Sequence, residues 1–213
     1  MTFFLTWLAF TAVQIAATIS PGPAFVMCVR NSLTYNRPVG IATAIGLGLG
    51  VAAHVTAVLL GLSALMAESV VLYNIIKYAG AAYLIYIGVK GILAKKQNIA
   101  TQPLSDAGLE PLRAMSLGKA VQTGFLTNLL NPKAVVFFTA IFTQFLHAET
   151  PGFMLVSYGM TSILVEMGWF SMVAVILTNP LIKQRFMGVS HWIERVCGGL
   201  MIALGVRLAL SKL

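Results

Sequence analysis

The feature that most constrains this chain is a succession of long apolar runs, near residues 4–29, 39–66, 70–92, 117–146, 152–178 and 192–210. A helix needs roughly 20 apolar residues to cross a hydrocarbon core of about 30 Å, and every run but the last, slightly shorter one reaches that length. An outer-membrane barrel would place a polar residue at every second position, and no such alternation exists. Lipid offers the backbone no hydrogen-bond partner, so helices are the spanning solution that remains. Composition agrees: 58% of the 213 residues are hydrophobic and 9% are charged, against roughly 25% charged in a soluble domain. The expected fold is therefore all-α, a polytopic membrane protein with about six transmembrane helices.

The formal net charge of +8 raises nucleic acid as a partner. However, the basic residues sit at span ends and in loops, where membrane proteins place them, so no nucleic-acid partner is expected. Arg30 and Arg37 follow the first span, Lys95, Lys96 and Arg113 lie in the third loop, and Lys183 and Arg185 lie in the fifth. The second and fourth loops carry Glu68 and Glu149 instead. The positive-inside rule then puts loops one, three and five in the cytoplasm and both termini outside; Lys77, Arg207 and Lys212 count against it. The opening Met1-Thr2-Phe3-Phe4 lacks the basic region of a cleaved signal peptide, which predicts a retained first span. Lipidation signals are also missing.

The third loop, about 93–116, reads as a linker inside a single transporter domain of residues 1–213, between a first repeat of about 1–92 and a second of about 117–213. Leu84 to Lys90 aligns without a gap on Met201 to Arg207, placing Gly88 on Gly205. Span one breaks at Ser20-Pro21-Gly22-Pro23, and span four at Asn131-Pro132-Lys133, so Pro21 falls on Pro132. Three spans per half make the repeats inverted. Helices interrupted at corresponding places in two inverted halves are the best sequence pointer to a transporter's binding site.

Each proline removes an amide donor and clashes with the carbonyl four residues back, so neither span passes its break intact. A break deep in the membrane exposes a new helix N-terminus, whose partial positive charge suits a carboxylate. The alternative at Pro21–Pro23 is a kinked cytoplasmic helix end, with Arg30 close behind. At the second break, Lys133 in hydrocarbon costs about 2.5–3.5 kcal/mol on insertion scales and calls for a counter-ion, water or a substrate carboxylate. Its alternative is snorkelling along the stem to an interface.

Glu166 is the one carboxylate well inside a predicted span. Aligning Gly40 with Gly152 sets His54 of span two opposite it. A carboxylate withdrawn from water can hold a proton at neutral pH, and imidazole is the side chain whose charge changes nearest neutrality. The two form a candidate proton-coupling or ammonium-binding pair, or else a structural His–Glu hydrogen bond. Gly46, Gly48 and Gly50, like Gly198, Gly199 and Gly205, suit close helix packing. Cys28 and Cys197 form no disulfide framework or metal motif, and His54, His147 and His191 are too dispersed for a metal set. With no phosphate loop and no paired catalytic residues, neither an enzyme nor a cofactor is expected.

The stretch Ile19-Ser20-Pro21-Gly22-Pro23, with Arg30 and the Gly-rich second span after it, resembles the start of the LysE/RhtB family of amino-acid exporters. Gly124 to Ala134 (GFLTNLLNPKA), followed by Phe137-Phe138 and Gln144-Phe145, is similar to that family's fourth-span signature. Gly198 to Leu210 is similar to its usual ending. The resemblance implies a secondary exporter in the bacterial inner membrane, driven by the proton gradient, with protons, lipid and an amino-acid-like solute as partners; a homo-oligomer is compatible with it. It carries functional roles to Ser20, Pro21, Gly22, Pro23, Asn128, Asn131, Pro132 and Lys133. Exporters of basic amino acids in the family often carry an aspartate in the Gly-rich part of span two; here Leu47 to Ala52 has no carboxylate, which implies a neutral cargo of the threonine, homoserine or homoserine-lactone type. The rivals are a cation or metal-ion exporter, which calls for more intramembrane ligands than Glu166 and His54, and a non-transporting assembly factor or passive channel.

Overall fold

A computed structural model describes residues 2–93, 115–146, 150–176 and 180–210, and the regular structure among them is entirely helical. Eight helices follow in order: α1 (Thr2–Ile19), α2 (Pro23–Thr34), α3 (Arg37–Glu68), α4 (Val70–Ile92), α5 (Leu117–Leu129), α6 (Pro132–Phe145), α7 (Gly152–Ile176) and α8 (Pro180–Leu210). Most of the predicted linker, with Lys95, Lys96 and Arg113, lies outside the described residues, as do His147 and Glu149.

Local chemistry sets several boundaries. Ser69 accepts the amide of Leu72 at 3.2 Å and starts α4. Ser116 accepts that of Lys119 at 3.3 Å and starts α5. Asn131 caps α6 through the Lys133 amide at 3.0 Å, with Pro132 at the first helical position, where its missing N–H costs nothing. The predicted breaks are sharp bends: α1 and α2 meet at 58°, and α5 and α6 at 61°.

Three helices are long and apolar enough to cross a membrane, or five if each bent pair is one span. The sixth predicted stretch, 192–210, is the C-terminal part of α8, which begins twelve residues earlier, at Pro180. The added turns carry Lys183, Gln184 and Arg185, so an apolar run could not reveal them. Alongside an apolar core, the interior holds a polar group while the exterior is apolar. Gln14, Asn128, Ser162, His54 and Glu166 are buried, whereas Leu60, Val71, Leu130 and Val156 are among the most exposed side chains, at 65–75%. Lipid suits that exterior, and the polar centre is expected to be functional.

α3 packs mainly against α5 and α7, and α4 against α8. Glycines allow both approaches. A side chain at Gly46 or Gly124 would run into the backbone of the facing helix, at Val121 and Thr43 respectively. Along α4 and α8, Gly88 faces the Gly198 carbonyl and the Ile202 side chain and amide, while Gly205 faces the Ala81 carbonyl and the Ile85 side chain and amide. The sequence alignment that sets Gly88 on Gly205 also sets Ile85 on Ile202 and Ala81 on Gly198. Each contact is thus the other with the two helices exchanged, and the helices run antiparallel. Cys28 and Cys197 are free and buried.

Candidate functional site

The two bends meet in the interior. Lys133, one residue past the second break, sends its ammonium across to the first, donating to Ser20 Oγ at 3.2 Å and approaching the Ser20 carbonyl at 3.5 Å. Gly22 lies beside it: a Cβ there would sit 3.8 Å from Lys133 Nζ. α2 starts at Gly22 with no side chain capping it, so its first turn keeps amide hydrogens to offer. α6 differs, because Asn131 spends its side chain on its own helix start.

These elements border a cavity of about 50 Å³, room for a few waters by the ~10–15 Å³ that each requires. Ser20, Gly22, Asn131 and Lys133 line one part of it, and Gln14, Thr18, Asn128 and Glu166 another. Phe25, Phe137, Phe138 and Phe170 complete the wall with apolar surface.

Glu166 enters from α7 and is held on both oxygens. Thr18 Oγ1 donates to Oε2 at 2.9 Å, and Asn128 Nδ2 lies 3.3 Å from Oε1. Asn128 also donates to the Leu47 carbonyl at 2.7 Å, which locks the amide's orientation. His54 does not touch Glu166. Its Nε2 lies 3.0 Å from the Asn128 carbonyl, an oxygen that can only accept, so the imidazole donates there. Neither a direct His–Glu bond nor a direct relay is formed; Asn128 stands between them, through its backbone on one side and its amide on the other.

Sequence reasoning missed a further part of this network. Gln14 Nε2 lies 3.3 Å from Thr18 Oγ1, and Ser162 Oγ 3.5 Å from Gln14 Oε1, with all three residues buried. The signal was a repeated spacing: Gln14 and Thr18 stand one helical turn apart in α1, as Ser162 and Glu166 do in α7, and residues four apart share a helix face. Of the predicted residues, Ser20, Gly22, Asn128, Asn131, Lys133 and Glu166 line the cavity. Pro21, Pro23 and Pro132 shape the bends around it, and His54 stands behind Asn128. Among the described residues, no three His, Cys, Asp or Glu side chains gather as a metal site would require.

The family model described as LysE type translocator matches residues 15–212. An uncharacterized membrane protein of Vibrio cholerae serotype O1 is 31% identical, covering 85% of this chain and 93% of the relative. The threonine efflux protein of Salmonella typhi is 27% identical, over 94% and 95% of the two chains. The homoserine/homoserine lactone efflux protein of Salmonella typhimurium is 28% identical, over 98% of each. No solved structure matches.

Proposed function

Because this chain belongs to the LysE family of translocators, we propose that it is a secondary active exporter of neutral amino acids or their derivatives, of the threonine, homoserine or homoserine-lactone type, coupled to protons and seated in a bacterial inner membrane. Full-length relatives named for threonine and for homoserine efflux support an amino-acid exporter. The observation that carries the finer reading is the meeting of the two broken helices at Lys133, across one cavity from Glu166.

That cavity presents opposite polarities to the two ends of a zwitterion. Lys133 and the uncapped start of α2 suit a carboxylate, by charge and by free amides together. Glu166 suits an ammonium group, and in its absence a proton. Thr18 and Asn128 hold its oxygens in place, so the ammonium or proton arrives at a preset position. Exchange of one for the other at Glu166 would couple export to the gradient, with His54 steadying Asn128. Two inverted repeats rocking about this centre would alternate access; the exchanged contacts at Gly88 and Gly205 support such a relation.

The test is a toxicity and efflux screen in an export-deficient bacterium expressing the wild type or Lys133→Ala at equal membrane levels. Cells are challenged with a panel of amino acids, homoserine and homoserine lactone. Protection against one neutral compound, lost in the variant, is the expected result. Lysine or arginine competing better than threonine would overturn the neutral-cargo reading, and no protection from any compound would overturn amino-acid export itself.

A further inference from the structure

A second cavity, of about 20 Å³, adjoins the first. Ala17, Ser20, Lys133 and Phe137 line both, so these four residues form the wall between them. Beyond that wall the second cavity is bounded by α4 and α8, through Leu84, Ile87, Gly91, Cys197, Gly198 and Met201, together with one carboxylate, Glu194. Each side of the wall therefore holds a single acidic side chain, Glu166 or Glu194, and the wall itself holds a single cation.

Glu194 is half-buried, and both Lys133 and His191, about one turn before it on α8, lie within electrostatic reach of its carboxylate. The only other charged side chain lining its cavity is Lys133. An ammonium on a four-carbon stem can turn to either side of the wall. The close approach of α8 to α4 at Gly91 and Gly198 fixes the backbone beneath Glu194.

We propose that Glu194 is an alternative counter-ion of Lys133 and competes with the cargo for it. Lys133 sits on Ser20 in the wall itself, and from there the ammonium turns toward Glu194 when no cargo carboxylate holds it. An arriving cargo carboxylate draws it back to the Glu166 side, and Glu194 recaptures it as the cargo leaves. Glu194 thereby weakens cargo binding and speeds release. The inference rests on Lys133 being the carboxylate anchor proposed above, and it makes Glu194 a positioning residue that acts through the lysine.

The experiment measures equilibrium binding of radiolabelled threonine and homoserine to the purified protein, and initial efflux rates into inverted vesicles, for the wild type, Glu194→Gln and Lys133→Ala. Glu194→Gln is expected to bind at least about fivefold more tightly, the low end of ordinary coupling between two ligands, while its maximal rate falls. A general structural lesion would lower both affinity and rate. Glu194→Gln matching the wild type in both quantities, or binding more weakly, overturns the proposal. If Glu194→Gln fails to reach the membrane, Glu194→Asp, one methylene shorter, should shift both quantities the same way by less, and no shift there overturns it equally. Lys133→Ala that binds as well as the wild type overturns the anchor reading, whereas Lys133→Ala without binding beside an unaltered Glu194→Gln overturns only the counter-ion.

Discussion

Asn128 carries three connections on one residue: its two amide hydrogens go to the Leu47 carbonyl and to Glu166, and its backbone oxygen accepts from His54. Leaving a buried acceptor unsatisfied costs about 1–3 kcal/mol, and Asn128→Ala does so at Glu166 Oε1, freeing Glu166 to wander; the Leu47 carbonyl, inside α3, keeps its intrahelical partner. We expect its efflux rate, normalised to protein in the membrane, to fall by at least about tenfold, the equivalent of ~1.4 kcal/mol. Asn128→Asp keeps the size but faces Glu166 with a second carboxylate, and should be worse. An Asp variant exporting better than the Ala variant would mean that the amide does not act on Glu166. Thr18 allows a gentler comparison. Thr18→Ser keeps the hydroxyl on Glu166 Oε2 and should retain export, whereas Thr18→Val, nearly isosteric, should lose most of it in the same vesicle assay. At this scale the sequence was only partly legible. Asn128, Lys133 and Glu166 stand out because polar and charged residues are costly in an apolar run. Gln14 and Thr18 do not, because a lone amide or hydroxyl at one position in four is also what a helix tolerates by bonding to its own backbone. Glu194, near the start of the last apolar run, carries no local signal; only the fold places it against a cavity that Lys133 also lines.

Between helices, space decides. Gly198 and Gly199 are neighbours in the chain and looked equivalent as packing residues, yet α8 turns them to different surroundings. A Cβ at Gly198 would come 2.5 Å from the Gly88 carbonyl and 2.8 Å from the Ile92 amide, whereas one at Gly199 would meet nothing within 4 Å. Backbone cannot yield as a flexible side chain can, so Gly198→Val should separate α4 from α8. Its expected signature is a lower melting temperature in detergent and less protein in the membrane, with Gly199→Val close to the wild type in both. Equal behaviour of the two variants would remove the close seam. The bent elements were legible for a different reason: proline has a local effect that needs no tertiary context, so Pro21 and Pro132 mark their breaks directly. That the two bends would face each other, with Lys133 of one on Ser20 of the other, depends on how α3, α5 and α7 pack, and no local pattern encodes that.

For the molecule as a whole, the question is how many times the chain crosses the membrane, and it turns on α8. Among the described residues, three helices and two bent pairs give at most five spans by length and apolarity; α8, with Glu194 and Arg195 at its middle and Arg207 near its end, is not among them. Composition is a weak guide here, because a charge that faces a polar cavity or reaches an interface does not face lipid. Packing is a stronger one. α8 runs antiparallel along α4, with Glu194 beside Gly91 at one end of the contact and Gly205 beside Ala81 at the other. That is ten residues of α4, or about 15 Å of shared path at ~1.5 Å per residue. α4 is one of the three unambiguous spans, and a partner this closely seamed to it must enter the membrane with it. At 31 residues, α8 is about 46 Å long, more than the ~30 Å of hydrocarbon requires. With each bent pair counted as one span, six crossings are the expectation, and an even number returns both termini to one side. Together with the basic linker, that predicts a cytoplasmic third loop and outer termini. A fluorescent reporter inserted in the linker at residue 105 should therefore be bright. Alkaline phosphatase fused at Leu213 should be active, and the fluorescent reporter at that site dark. If the linker insertion and the C-terminal fusion both report cytoplasm, the span count is even beyond the linker, α8 lies on the membrane rather than through it, and the exchanged contacts at Gly88 and Gly205 cannot reflect an inverted repeat.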